Sequence, residues 1–338
     1  MTTVSAERAI TTSVGEAAAA DVRGFHQRVP DFFIVGHPKC GTTALYEMLR
    51  RRSAIYMPAL KEPQFFASEM RVGPRPERLP DTLEEYLALF ADARSDQVVG
   101  EASPSYLRSH TAAGLIARVQ PNARIIAILR EPASLLRSVH LQFLQAVIET
   151  EGDLGRALDL EQDRREGRNL PRHGIWPLAL QYSDHVRFEE QLRRYHAAFG
   201  RENVLVLIYD DFRADNEGTV RSVLRFLGVD DSLPIDEVEA NPTVRARSQA
   251  LHELVHTVAV GRGPVSRGIK RTVTSLSPSG PRRRLLRALR RNVVYGAAPV
   301  ADEELMSNLR RRFKGEVEAL GQYLDRDLIS LWGYDDVE

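Results

Sequence analysis

The sequence predicts an α/β fold: a single P-loop-like domain with a central parallel sheet flanked by helices. Three observations predict it. Short apolar runs recur along the chain, among them Phe32-Phe33-Ile34-Val35, Arg124 to Leu129 (RIIAIL) and Val204 to Tyr209 (VLVLIY). Runs of this length without polar alternation suit strands buried on both faces, as in parallel sheets. Helical segments with apolar residues at three- and four-residue spacing alternate with them, the pattern of crossover connections. The first run ends directly in Gly36-His37-Pro38-Lys39-Cys40-Gly41-Thr42-Thr43, a glycine-punctuated turn that opens a helix.

Taken in order, residues 1–28 carry Glu7, Glu16 and Asp21 and no long apolar run. They read as a disordered leader and not as a secretory signal. The domain is expected over residues 29–338. After the first strand, Thr42 to Arg52 reads as a helix with Leu45, Met48 and Leu49 on one face. Ala54 to Met57 reads as a strand, Asp81 to Phe90 as a helix opening on an N-cap residue, and Gln97 to Gly100 as a strand. Thr111 to Val119 is helical and leads to the RIIAIL strand. Pro132 then suits the first turn of a helix expected to reach about Thr150.

Residues 151–177 are charged and broken by Gly and Pro, and read as a surface insertion. Leu178 to Phe199 reads as one long amphipathic helix. Thr219 to Leu227 is a helix that Gly228 caps, and Asp302 to Leu324 closes the domain. Between them, Arg262 to Arg291 holds ten Arg or Lys and no Asp or Glu, a basic insertion at about 260–292.

Bulk chemistry narrows the function. Lys and Arg number 46 and so do Asp and Glu, so the formal net charge is zero. A global field for nucleic acid is therefore not expected, and any basic site is local. Cys40 is the single cysteine, which excludes intrachain disulfides and multi-cysteine zinc sites and fits a reducing, cytoplasmic compartment. No run approaches the roughly 18 apolar residues of a membrane span.

The loop at Gly36–Thr43 has what a phosphate needs. Glycines expose backbone N–H groups, a helix N-terminus adds free donors and partial positive charge, and Lys39 adds a mobile cation. The nucleotide-kinase loop G-x-x-x-x-G-K-[ST] has the glycine spacing of Gly36 and Gly41, but Thr42 stands where its lysine belongs. That lysine works beside a Ser/Thr holding Mg²⁺. A loop without this pair suits a 5′-phosphate bound without metal.

Pro38-Lys39-x-Gly41-Thr42-Thr43 resembles the 5′-phosphosulfate loop of sulfotransferases that use 3′-phosphoadenosine 5′-phosphosulfate (PAPS). The resemblance implies that Lys39, Cys40, Gly41, Thr42 and Thr43 bind the donor. It also implies a second anion site for the 3′-phosphate, from an arginine at a strand end and a serine eight residues later; Arg130 and Ser138 match. Arginine suits this role because its planar fork makes two charge-assisted bonds to phosphate. Leu60-Lys61-Glu62-Pro63-Gln64-Phe65-Phe66 and Gly100-Glu101-Ala102-Ser103-Pro104-Ser105-Tyr106 resemble segments of glycosaminoglycan-type and bacterial members. Some members carry a substrate-binding lysine where this chain has Ala102. The stretch from Asn241 to Ser248 resembles a family segment that would bring Arg245 and Arg247 to the 3′-phosphate.

The implied reaction is in-line transfer of a sulfuryl group to an acceptor hydroxyl. Positioning and charge stabilisation do most of the work in such transfers. Lys39 is the expected stabiliser of the leaving phosphate oxygen. The resemblance makes Glu62 the first candidate for general base, and His140 and His37 are rivals. His173 stands in the charged insertion without an assigned place. Asp210 and Asp211 read as helix-capping residues. A phosphate-loop kinase or NTPase, and a non-catalytic PAPS-binding protein, are the competing readings. The acceptor is left open among glycan, lipid and small natural-product hydroxyls, and the basic insertion is a candidate surface for an anionic partner. Cys40, next to a helix N-terminus, is expected to have a lowered thiol pKa and some sensitivity to oxidation.

Overall fold

The computed structural model describes residues 28–70, 79–171, 177–235 and 302–337, together with the backbone of two short strands at 244–246 and 295–297. Residues 1–27, His173, Arg247 and the basic stretch at 260–292 lie outside the described residues, as does the side chain of Arg245.

The five apolar runs become the strands of one parallel sheet: β1 (Phe32–Gly36), β2 (Ile55–Tyr56), β3 (Val98–Ala102), β4 (Arg124–Leu129) and β5 (Val204–Ile208). Their order is β2-β3-β1-β4-β5, and every pairing is parallel. The central strand β1 is buried along its whole length, which explains its unbroken apolar run. Chain order reverses at β1, with β3 on one side and β4 on the other. In such sheets, ligands bind outside the carboxyl ends of the strands at this switch point. The loops after β1, β3, β4 and β5 all open there.

Helices α1 (Thr42–Arg50), α2 (Leu83–Ala88), α3 (Ala112–Val119) and α4 (Pro132–Gln145) follow the first four strands. Two short helices come next, α5 (Leu154–Asp159) and α6 (Glu161–Arg165), then α7 (Phe188–Phe199). After β5 come α8 (Tyr209–Ala214) and α9 (Asn216–Leu227), which ends in left-handed Gly228 as expected. The closing helix α10 (Glu303–Leu324) is capped by Asp302 and packs on α4 and α7; α11 (Leu328–Trp332) follows it. A short antiparallel pair, β6 (Val244–Ala246) and β7 (Tyr295–Ala297), lies apart from the main sheet, with β6 against α4.

Several boundaries differ from expectation, each with a local cause. Helix α4 stops at Gln145 because Val147 turns left-handed at φ 56°. Thr82, not Asp81, caps α2, through a reciprocal capping box with Glu85. The expected helix from Leu178 begins only at Phe188. Two 3₁₀ turns, Pro177–Leu180 and Ser183–His185, replace its first half. There Glu161 accepts bonds from the Ser183 N–H (2.6 Å) and hydroxyl (2.8 Å), which compete with helical pairing. The charged stretch after residue 150 is not a plain surface insertion. Its Arg164 is buried in a two-pronged ion pair with Glu149, both bonds 2.8 Å long. Among the described residues, no helix is long and apolar enough to cross a membrane.

Candidate active site

The loop after β1 is shaped by three backbone constraints. At Gly36 a Cβ would lie 2.5 Å from the Cβ of Leu107, so only glycine allows the β3 turn to cross so closely. The His37 N–H donates to the Ile128 carbonyl (2.8 Å), pinning the loop to β4. Lys39 and Gly41 are both left-handed, at φ 68° and 87°. Gly41 is the N-cap of α1 and offers no side chain, and the first helical bond runs from Leu45 N–H to Gly41 carbonyl at 3.1 Å. The first-turn amides of α1 thus have no intrahelical acceptor, which makes an anion-binding helix start.

The second half-site stands across the loop. Arg130, immediately after β4, donates from Nη1 to the Lys39 carbonyl (3.2 Å), and its guanidinium lies 4.7 Å from the Tyr209 ring centroid. Ser138 on α4 is buried, and its hydroxyl has no hydrogen-bond partner among the described residues. Burial, and next the neighbouring Arg130 charge, hold the Lys39 ammonium below its ordinary pKa. An anion between these cations relieves both effects. An orphaned hydroxyl, free amides and two cations thus fit a ligand with two phosphate groups.

Lys39, Gly41, Thr42, Thr43, Arg130 and Ser138 line one cavity of about 410 Å³, and Glu62 lines it too. Sequence reasoning placed these residues in three separate stretches, and the fold brings them together. Glu62 lies in the segment after β2, which is held against the end of β3 and the turn that follows it. Its N–H donates to the Ala102 carbonyl (3.1 Å), the Gln64 N–H to Ser103 Oγ (3.1 Å), and the Phe66 N–H to the Tyr106 hydroxyl (3.3 Å). Glu62 and Gln64 are left-handed, at φ 60° and 52°, a conformation that persists only where neighbours impose it. Lys61 Nζ sits 2.5 Å from Glu62 Oε1. Below them Glu101 is fully buried and accepts from the Tyr86 hydroxyl (3.1 Å); burial pushes its carboxyl up to about 7.

Other expected residues are not brought to the cavity. His140 is buried with Nε2 2.8 Å from the Glu151 carbonyl oxygen, and burial lowers its pKa; it faces the chain after α4. His37 is wholly buried against His185 and Phe188, and burial, then the Arg108 charge, lowers its pKa to about 3. The Cys40 N–H bonds to the His37 carbonyl (3.3 Å), and its thiol is inside the core, where burial pushes it up to about 12, opposite to the expected lowering. Asp210 and Asp211 hold the C-terminal helices: Trp332 Nε1 donates to Asp210 (2.9 Å), and Arg326 grips Asp211 at 2.6 and 2.8 Å.

The structure adds cavity residues that sequence reasoning missed. Ser105 and Arg108 come from the turn after β3, and Gln142 and Phe143 from α4. His185 comes from the segment expected to be plain helix. Arg108 had one available signal: it follows the Ser-Pro-x-Tyr turn by two residues.

The family model described as "Sulfotransferase domain" matches residues 29–249. The human protein carbohydrate sulfotransferase 15 is 27% identical over 265 residues, covering 64% of this chain and 46% of that protein. Human heparan sulfate glucosamine 3-O-sulfotransferase 6 is 27% identical over 207 residues, covering 60% of this chain and 53% of that protein. The chain thus spans about half the length of these relatives. A sulfotransferase structure from Alicyclobacillus acidocaldarius superposes with a TM-score of 0.62 at 24% identity, covering 90% of this chain and 99% of that one, a likeness of fold. With a family match over most of its length, carried on this sheet and this loop, the chain belongs to the sulfotransferase family.

Proposed function

We propose that the chain transfers a sulfuryl group from PAPS to a hydroxyl of a carbohydrate acceptor. The observation that carries this reading is the single cavity in which two anion-binding half-sites and the Glu62 carboxylate meet. When bound, PAPS supplies the sulfuryl group and a phosphate leaving group. Lys39 and the amides of Gly41, Thr42 and Thr43 hold the 5′ end, and Arg130 with the unpartnered Ser138 hydroxyl holds the 3′-phosphate. Lys39 stabilises charge growing on the leaving oxygen, and the low-dielectric site strengthens that contact. Glu62 takes the acceptor's proton, and Lys61 steadies its carboxylate. The three backbone bonds from the β3 turn hold Glu62 in place. The carbohydrate acceptor is supported by the names of the relatives and by the Lys-Glu-Pro segment.

The test is turnover of labelled PAPS against a panel of glycans, with Glu62→Gln beside the wild type. Loss of a general base lowers kcat by about 100- to 10,000-fold. The proposal expects that loss with unchanged affinity for 3′-phosphoadenosine 5′-phosphate (PAP). Undiminished turnover by the Gln variant contradicts Glu62 as base. Donor binding without turnover on any acceptor favours the non-catalytic reading.

A further inference from the structure

One charge in the cavity is left over once the donor is accounted for. Arg108 lines the same cavity as Lys39 and Arg130, together with Ser105 and His185. It is 9% exposed, and no carboxylate lies within ion-pair distance of it among the described residues. Asp184 and Glu69 favour its charge only from a distance, so the buried guanidinium has no anion in direct contact to offset its desolvation.

The two acidic groups whose charges favour the Arg108 cation, Asp184 and next Glu69, stand beyond ion-pair distance. Glu69 accepts from the Ser109 hydroxyl with one oxygen, and its Oε2 is buried without a hydrogen-bond partner among the described residues. Asp184 lies 3.7 Å from both Arg165 and Arg187. Among the described residues, the side-chain hydrogen-bond partner of the Arg108 guanidinium is His185 Nε2, an uncharged group. Burial, and next the Arg108 charge, keep that imidazole well below its ordinary pKa, so it adds no second cation at neutral pH. Arg108 itself is lowered only to about 10, chiefly by burial, and stays charged at neutral pH. In the lining of the same cavity, the Ser105 hydroxyl is buried and has no hydrogen-bond partner among the described residues. A charged fork and a spare hydroxyl in one cavity wall are the donors that an oxyanion takes up.

Both features lie on the turn after β3, the element that also positions Glu62. They come from a different element than Arg130 and Ser138, which stand just after β4 and on α4. We infer that Arg108, with the Ser105 hydroxyl, is an anion subsite for the acceptor: it binds a carboxylate or sulfate ester carried near the accepting hydroxyl, and so sets acceptor specificity. The inference rests on the proposed sulfuryl transfer. It also locates a cation where position 102, an alanine in this chain, offers none.

The test uses Arg108→Met, which keeps the length of the side chain and removes the charge. PAP affinity is measured first by calorimetry, for wild type and variant. Equal affinity shows that the fold and the donor site survive; absence of binding in the wild type contradicts the sulfotransfer reading itself, and this inference with it. With PAP saturating, inorganic sulfate is added as the probe and thermal stability is followed. The inference expects sulfate to raise the melting temperature of the wild type and not of the variant. Acceptors are then compared as matched sets: a uronic-acid glycan, its carboxyl-reduced neutral form, and a sulfated form without carboxylate. The wild type is expected to favour charged forms, with the two charged sets showing which oxyanion is read. In the variant, the preference for charged over neutral forms, read as the ratio of their kcat/KM values, should fall about tenfold or more. Equal sulfate stabilisation in both proteins, or an acceptor preference that survives Arg108→Met, overturns the inference. Should the Met variant lose PAP binding, Arg108→Lys repeats the comparison with the charge kept and the fork removed, and full retention of wild-type preference there contradicts a role for the planar guanidinium.

Discussion

The Arg130 guanidinium donates a hydrogen bond to the main-chain carbonyl of Lys39 across 3.2 Å. One arginine thus joins the two half-sites: it ends β4, and through Lys39 it fixes the left-handed step of the loop after β1. On the proposed function, removing it costs a phosphate contact and loosens the loop together. Arg130→Ala is expected to weaken PAP binding by about 10- to 100-fold, the range of a lost charge-assisted hydrogen bond. Arg130→Lys keeps the charge but not the fork, and should recover only part of the loss. Calorimetric titration reads both.

The lowered pKa of Lys39 has a pH consequence. Its folded value lies below the ordinary lysine value because burial and Arg130 disfavour the cation. The ammonium is therefore lost as pH rises, starting below the ordinary lysine range. Donor affinity should fall on the alkaline side earlier than an exposed lysine allows. Bound phosphate opposes the shift, so the limb should appear in kcat/KM more clearly than in kcat. In Lys39→Arg this alkaline limb should move to higher pH, since arginine does not deprotonate in the accessible range.

Cys40 sits in the phosphate loop by sequence and in the core by structure. Its side chain is fully buried and its thiol is pushed up to about 12. A thiol-blocking reagent at pH 8 should leave native protein unlabelled and activity unchanged, and should label stoichiometrically after denaturation. Fast labelling of native protein contradicts the burial.

The ion pair between Glu149 and Arg164 is inside the wall beside the cavity, with both side chains at most 1% exposed. The Tyr182 hydroxyl also donates to the carboxylate at 3.1 Å, and the Thr150 and Glu151 N–H groups do so at 2.8 Å. Removing one partner leaves a buried charge unpaired, which typically costs about 3–5 kcal/mol. Arg164→Met is therefore expected to lower unfolding stability by that order, measured in urea. The double variant Glu149→Gln, Arg164→Met should recover part of it, because no buried charge is then stranded. Equal losses in the single and double variants contradict the pair's role.

The sheet was legible because its signal is local. Strands such as Phe32–Gly36 and Arg124–Leu129 are buried on both faces and carry no polar interruption. Lys39, Glu62, Arg130 and Ser138 were legible through motifs whose spacing is fixed by a strand end followed by a helix. His140 was misread because a position along α4 gives no direction: Ser138 turns to the cavity, while His140, two residues on, meets the Glu151 carbonyl. Residues 151–177 were misread because charge usually marks solvent. Here Arg164 is buried and paired with Glu149, and Glu161 is buried and accepts from Ser183, partners that a linear pattern does not reveal. Arg108 belongs to the same class, since its burial depends on packing against the segment that carries His185.

The most direct measurement of the central claim is calorimetric titration with PAP, against ATP with Mg²⁺ and adenosine 5′-phosphate. Micromolar binding of PAP without metal, weakened by Lys39→Ala and by Arg130→Ala, is the result expected of two anion half-sites in one cavity. Binding of ATP with Mg²⁺ and none of PAP contradicts it and supports the nucleotide-kinase reading of the loop.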